Sequence, residues 1–172
     1  GTHTVSTRVT IRTDAGIDGI AYAARGPIMV DLIDRRLRDM LIGRDPLLKE
    51  HLWREVWEID RIEELPIYAL GVIDIALWDL TAKVAGLPLY QVIGGARDRI
   101  PAYASTVTFR DIAEYLDVAD QCLDYGFRAI KLHAWGDPRK DAKLAQELRR
   151  HVGPDIALMY DGSAGFDLLD AI

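Results

Sequence analysis

The 172-residue sequence contains a single cysteine, Cys122, so an internal disulfide and a thiolate metal cluster are both excluded, and a reducing cytoplasm is the expected compartment. Long apolar runs are missing too. The apolar stretches are strand-sized or interrupted by Asp, and the N-terminus lacks the charged-then-apolar layout of a signal peptide, so neither membrane spanning nor export is expected. Positive charge is in the minority. Asp plus Glu number 27 against 21 Lys plus Arg, a formal net charge of -6. No basic run is interleaved with aromatics, which argues against a nucleic-acid partner. The chain opens Gly1-Thr2-His3-Thr4 without Met and stops at Ile172 in what reads as the opening turn of a helix, Asp167 to Ile172; both ends read as cut. What is present, 49% hydrophobic and 28% charged residues, is the composition of a folded globular chain with room for one ordinary domain or two small ones.

Residues Ser6 to Thr13 alternate, with Val9 and Ile11 on one face and Arg8, Thr10 and Arg12 on the other, before Asp14-Ala15-Gly16 turns the chain into Ile17 to Tyr22: a β-hairpin. The period then lengthens. Met29, Leu32, Ile33, Leu37, Met40 and Leu41 fit one helix, and Leu48, Leu52, Val56 and Ile59 a second after Asp45-Pro46. Pro66 separates a third, Ile67 to Val84, apolar over much of its circumference and ended by Gly86-Leu87-Pro88. Hairpin plus helices predicts an α+β unit over residues 1–95.

Residues 96–172 alternate differently. Ile100 to Thr106 reads as a strand, Asp111 to Tyr125 as a helix closed by Gly126, and Phe127 to His133 as a strand. Asp137 is a suitable N-cap with Pro138 in the first turn of the next helix, Gly153-Pro154 stops that helix, and Ile156 to Tyr160 is a further strand. Such alternation predicts parallel strands with helical crossovers, in a (β/α) barrel or an open doubly wound sheet.

Strand parity singles out three residues. Lys131 and His133 share a face, while Ile130 and Leu132 turn toward the covering helices. Asp161 ends the next strand in phase with Ala157 and Met159, beside the small loop Gly162-Ser163-Ala164-Gly165. A lysine facing inward on a short apolar strand needs a counter-charge, and the C-terminal edge of a parallel sheet is where α/β enzymes place their sites. The bland alternative is a strand end emerging into solvent, with Asp161 capping the next helix.

The chain resembles the mandelate racemase branch of the enolase superfamily, the mandelate racemase/muconate lactonizing enzyme family. The resemblance rests on Ala76 to Gly95 (ALWDLTAKVAGLPLYQVIGG), Thr13 to Gly19 (TDAGIDG), Ile100 to Ser105 (IPAYAS) and Gly126 to His133 (GFRAIKLH). It implies a capping domain followed by the first strands of a TIM-type barrel. A full barrel takes about 250 residues, so the barrel is incomplete here. It also implies an Mg²⁺-dependent enzyme that removes the proton α to a carboxylate, with His133 as acid/base group, Lys131 contacting the substrate carboxylate or tuning His133, and Asp161 as a metal ligand. His133 stands where lactonizing enzymes and dipeptide epimerases of the superfamily typically carry lysine, which points toward acid-sugar dehydratases; a racemase or epimerase, or a non-catalytic homologue, are the alternatives. The expected partner is a small carboxylate such as an acid sugar, the expected assembly a homo-oligomer, and the isolated chain is expected to be inactive because further acidic ligands would come from later strands.

Other residues carry weaker expectations. Ser163 could offer a hydroxyl behind the metal ligand, Trp135 could wall the site or serve packing, and Arg25 could reach an anionic substrate. Cys122, Trp53, Trp57 and Trp78 read as packing, and His51 and His151 as surface.

Overall fold

The computed structural model describes residues 5–24, 26–64 and 67–171; the roles expected of Arg25, Pro66 and the extreme ends fall outside these residues. Two compact units divide the chain, Gly1–Asp98 and Arg99–Ile172.

The first unit begins with the hairpin, β1 (Thr7–Arg12) antiparallel to β2 (Asp18–Ala23), in register from Thr7 opposite Ala23 to Arg12 opposite Asp18. Thr13 closes the turn: its Oγ1 donates to the Ile17 carbonyl at 2.7 Å. Two strands alone are marginal in water, so the hairpin must bury a face elsewhere. After α1 (Gly26–Leu32), a π-helical segment (Ile33–Leu37), α2 (Arg38–Leu41) and α3 (Lys49–Glu63) comes the helix that receives it, α4 (Ile67–Ala85), followed by the short α5 (Leu89–Val92). Gly19 permits the closest approach, since a Cβ there would lie 2.0 Å from the Ala76 carbonyl oxygen of α4. Asp79 of α4 completes the junction. Its Oδ2 accepts the Ile20 N–H at 2.8 Å and the Lys83 ammonium at 2.7 Å, while Lys83 also donates to the Asp18 carbonyl. Met29, Leu37, Leu52, Val56, Ile73 and Leu77 fill the core beneath. Gly86, in the left-handed region at φ 64°, ends α4, with Leu87 N–H donating to the Ala82 carbonyl and Gly86 N–H to that of Lys83.

Three sequence expectations change in this unit. The helix predicted from Met29 to Leu41 contains the π-helical segment, which the i, i+4 spacing does not reveal. Leu48 precedes α3 as its N-cap and is 57% exposed, so the buried stripe starts at Leu52. Trp53 and Trp57 leave two-fifths of their surface to solvent and pack on each other, their rings stacked at 5.4 Å.

The second unit is a parallel sheet in the order β3 (Ala104–Ser105), β4 (Ala129–Leu132), β5 (Ala157–Tyr160), crossed by α6 (Ile112–Asp124) and α7 (Pro138–Val152). Asp111 and Asp137 cap the two helices, accepting the N–H groups of Glu114 and Lys140. Ile130 and Leu132 of β4 are each 1% exposed, packed with Tyr115, Ala119, Leu144, Leu148 and Ile156. The first strand is shorter than predicted. Residues 100–103 precede the stretch that faces β4, and Ile100 is 80% exposed, so pairing with β4 begins at Ala104 and ends with the Thr106 N–H donating to the Lys131 carbonyl.

Substituting Gly19→Ala is expected to destabilise the first unit by about 1–3 kcal/mol, because the α4 backbone cannot yield to a methyl group; a lowered urea midpoint followed by circular dichroism would show it. Burial pushes the Asp79 carboxyl up, but the hydrogen bonds from Lys83 and Ile20 outweigh it and hold the group below its ordinary range. A depressed carboxyl contributes stability that is present above its unfolded-state range and lost as pH falls through the lower folded value. Acid titration of the thermal midpoint should therefore be shallower in Asp79→Asn than in the parent chain.

Candidate active site

Period-two alternation on β4 places Lys131 and the following His133 on the face opposite Ile130 and Leu132. The ladder to β5 sets Lys131 opposite Met159 and Leu132 opposite Tyr160, and the Asp161 N–H continues it by donating to the Leu132 carbonyl at 2.9 Å. Adjacent parallel strands thus deliver three polar side chains to one edge. The Lys131 ammonium donates to Asp161 Oδ2 at 3.0 Å, and His133 Nε2 lies 3.4 Å from the same oxygen. The counter-charge that an inward lysine demands is Asp161.

Each group is shifted by its neighbours. The Ser163 N–H, then the Lys131 ammonium, hold the Asp161 carboxyl below the usual carboxylate range. The Asp161 hydrogen bond raises Lys131 above its ordinary value, with Tyr103, whose ring centroid is 5.5 Å from Nζ, acting in the same direction. Both shifts keep the pair ionised near neutrality.

His133 is oriented by Thr106. Nδ1 lies 2.8 Å from the Thr106 carbonyl oxygen, which can only accept, so Nδ1 carries a proton and Nε2 is the atom left to exchange one. The backbone is pinned on both sides: His133 N–H donates to Thr106 Oγ1 at 3.1 Å, and the Tyr115 hydroxyl donates to the His133 carbonyl at 2.7 Å. Burial raises the Tyr115 hydroxyl above its ordinary value, which keeps it a donor.

The structure brings Lys131, His133 and Asp161 together; of the weaker candidates, Ser163 and Trp135 have the partners described next, and Arg25 lies outside the described residues. Ser163 is exposed and meets Asp161 through its backbone, the N–H donating to Oδ1 at 3.0 Å, a contact the sequence reading had assigned to the hydroxyl. Trp135 turns into the unit's packing: Nε1 donates to the Phe109 carbonyl at 2.7 Å and the ring meets Tyr115 edge-on, because a half-buried indole N–H requires an acceptor. Thr106, Tyr103 and Tyr115 escaped the sequence reading. Thr106 carried a signal, lying one residue beyond Ser105, which pairs with Lys131.

Asp161 offers hard carboxylate oxygens of the kind Mg²⁺ takes, and Mg²⁺ usually combines one or two carboxylates with waters and substrate oxygens. No group of three or more His, Cys, Asp or Glu that could hold a metal occurs among the described residues. Asp161 thus fits as one ligand of such an ion.

Comparison with known proteins bears on the family and the fold. Residues 2–94 match the family model of the mandelate racemase/muconate lactonizing enzyme N-terminal domain, and residues 114–172 the model of the enolase C-terminal domain-like fold. A D-galactonate dehydratase family member of Halomonas elongata is 37% identical over 130 residues, covering 72% of this chain and 32% of that protein. A D-mannonate dehydratase of Novosphingobium aromaticivorans is 31% identical over 88% of this chain and 47% of its own. The crystal structure of a racemase from Streptomyces coelicolor with bound magnesium superposes with a TM-score of 0.88 at 29% identity, over 96% of this chain and 49% of that one. The chain therefore spans a third to a half of the lengths of these relatives, its parallel strands forming part of the TIM-type barrel of the enolase fold. The chain belongs to the mandelate racemase/muconate lactonizing enzyme family of the enolase superfamily.

Proposed function

We propose that this chain contributes the first acid/base group and one metal ligand to a Mg²⁺-dependent enzyme that abstracts the proton α to a carboxylate, acting as an acid-sugar dehydratase. The observation that carries the reading is the convergence of Lys131 Nζ and His133 Nε2 on one oxygen of Asp161, with the Thr106 carbonyl fixing which imidazole nitrogen is available. Dehydratases among the relatives support the choice of reaction.

On this reading Asp161 would hold Mg²⁺, which when bound supplies positive charge to stabilise an enediolate. Lys131 orients the substrate carboxylate by its ammonium. His133 Nε2 takes the α-proton, and the C–H electron pair passes into the enediolate. Collapse of the enediolate breaks the β-carbon–oxygen bond, and the hydroxyl leaves as water with the proton that His133 holds, which restores the free imidazole; the resulting enol tautomerises to a 2-keto acid. A second reading, racemisation, ends with reprotonation of the same enediolate, and the magnesium-bound racemase relative supports it.

The test uses a protein in which this chain is extended to the length of its relatives, given D-mannonate, D-galactonate, galactarate and D-gluconate with Mg²⁺ in D₂O. Dehydration to a 2-keto acid is the expected result; deuterium entering the α-position with the β-hydroxyl retained would favour racemisation, and neither reaction with any acid would defeat both. In that protein His133→Asn should lower kcat at least about a hundredfold with KM little changed, the loss typical of a missing general base. Chelation by EDTA should abolish turnover and added Mg²⁺ restore it; full activity in the chelated protein would remove the metal from the reading.

A further inference from the structure

Asp141 is a charged side chain in the core of the second unit, 3% exposed, and nothing in the acid/base reading uses it. It lies in the first turn of α7, three residues before the buried Leu144, on the helix face where an apolar residue would be expected. Its carboxylate is fully engaged. Oδ1 accepts the Trp135 N–H at 3.2 Å, and Oδ2 accepts the Gly136 N–H at 2.9 Å and the Tyr160 hydroxyl at 2.7 Å. Trp135 and Gly136 lie just beyond His133, and Tyr160 immediately precedes Asp161. One buried carboxylate therefore ties the chain leaving β4 to the last residue of β5, across the edge where the site is built.

The geometry points to Asp141 as a positioning residue that fixes the separation of His133 and Asp161 by clamping the exits of β4 and β5 together. The inference rests on the acid/base reading for its functional meaning, but the clamp itself is a property of the chain. The sheet ladder between these strands ends with the Asp161 N–H donating to the Leu132 carbonyl. Beyond that point the described ties across the two exits are the Asp141 bonds and the Lys131 ion pair with Asp161. A buried carboxylate costs desolvation unless its lone pairs are satisfied, and two backbone N–H groups and a phenol meet that demand here. An apolar residue would pack against Leu144 equally well and would hold neither strand exit. The stacking of Tyr160 on Phe166, with centroids 5.7 Å apart, keeps the phenol aimed at Asp141.

The experiment compares the 172-residue chain with D141N and Y160F by amide hydrogen exchange and by the ring ¹⁵N resonances of His133. D141N keeps the shape but weakens the bonds to the loop; Y160F removes the phenol alone and serves if D141N fails to fold. In D141N the Trp135 and Gly136 amides should exchange at least about tenfold faster, the size expected for weakening a hydrogen bond to a charged group, and in Y160F the Asp161 amide, which closes the ladder onto the Leu132 carbonyl, should do so because the strand exit beside it is released. Amides of Leu144, Leu148 and Ile130 should stay within about twofold of the parent. The His133 ring nitrogens should move from the Nδ1–H form held by Thr106 toward a mixture of tautomers in both variants. Uniformly faster exchange across α7 and β4, or unchanged protection at the strand exits, would reduce Asp141 to a packing role and overturn the inference; so would His133 resonances unmoved in both variants. Because no substrate is present, these outcomes are independent of the D₂O assay that tests the acid/base reading.

Discussion

The second unit is organised by one constraint, the strict alternation of a four-residue strand closed on one face by helices. Ile130 and Leu132 are fully buried, and each such side chain contributes about 1.5–3 kcal/mol through removal from water. A shift of register by one residue would exchange them for Lys131 and His133, placing a lysine and an imidazole in the core. That penalty fixes which way Lys131 faces, and the parallel ladder to β5 then fixes where Asp161 emerges. β4 is also the central strand, so both neighbouring strands take their register from it. The placement of the polar groups at the edge is thus set by the packing of the apolar residues that alternate with them.

This dependence explains why the gathering of Lys131, His133 and Asp161 at one strand edge was legible in the sequence. Parity needs only the types of residue at successive positions, and the apolar–polar alternation of Ile130 to His133 states it openly. Thr106 and Tyr115 were harder to read because their partners are backbone groups of His133 or, for the Thr106 carbonyl, because the acting group is itself backbone, and backbone groups are common to all sequences. For Trp135 the sequence left walling and packing both open, and the indole N–H meets the Phe109 carbonyl; for Ser163 it is the amide that meets Asp161. Asp141 carried a clue of its own, a charge on the buried stripe with Leu144 and Leu148, whose meaning needed the strand exits to be located first.

In the first unit the pattern was read correctly at the level of elements, and the departures have local causes. The hairpin and α4 followed from alternation and from a helix apolar nearly all round, but the fit between them depends on the absence of a side chain at Gly19. A sequence shows that glycine; it does not show that the Ala76 carbonyl occupies the space. Asp79 is similarly double in role, a helical residue whose Oδ2 substitutes for a strand neighbour in receiving the Ile20 N–H. The surface-stacked pair Trp53 and Trp57 mimics core spacing because residues four apart share a helix face whether that face is covered or open.

The π-helical segment Ile33–Leu37 changes what substitution and length variation can do to this helix. In a regular α-helix each step of four residues advances about 40° around the axis, so Met29, Ile33, Leu37 and Leu41 would drift from one stripe. A wider turn in the middle takes up that drift, and Met29 and Leu37 both reach full burial. The helix therefore holds one residue more than a straight α-helical path between the same ends would need. Loss of a single residue within Ile33–Leu37 could be absorbed as regular α-helix, whereas the same loss inside α3 or α4 would rotate every later side chain away from the core. A point in the middle of this helix is therefore one where a single-residue gap in an alignment has a structural basis.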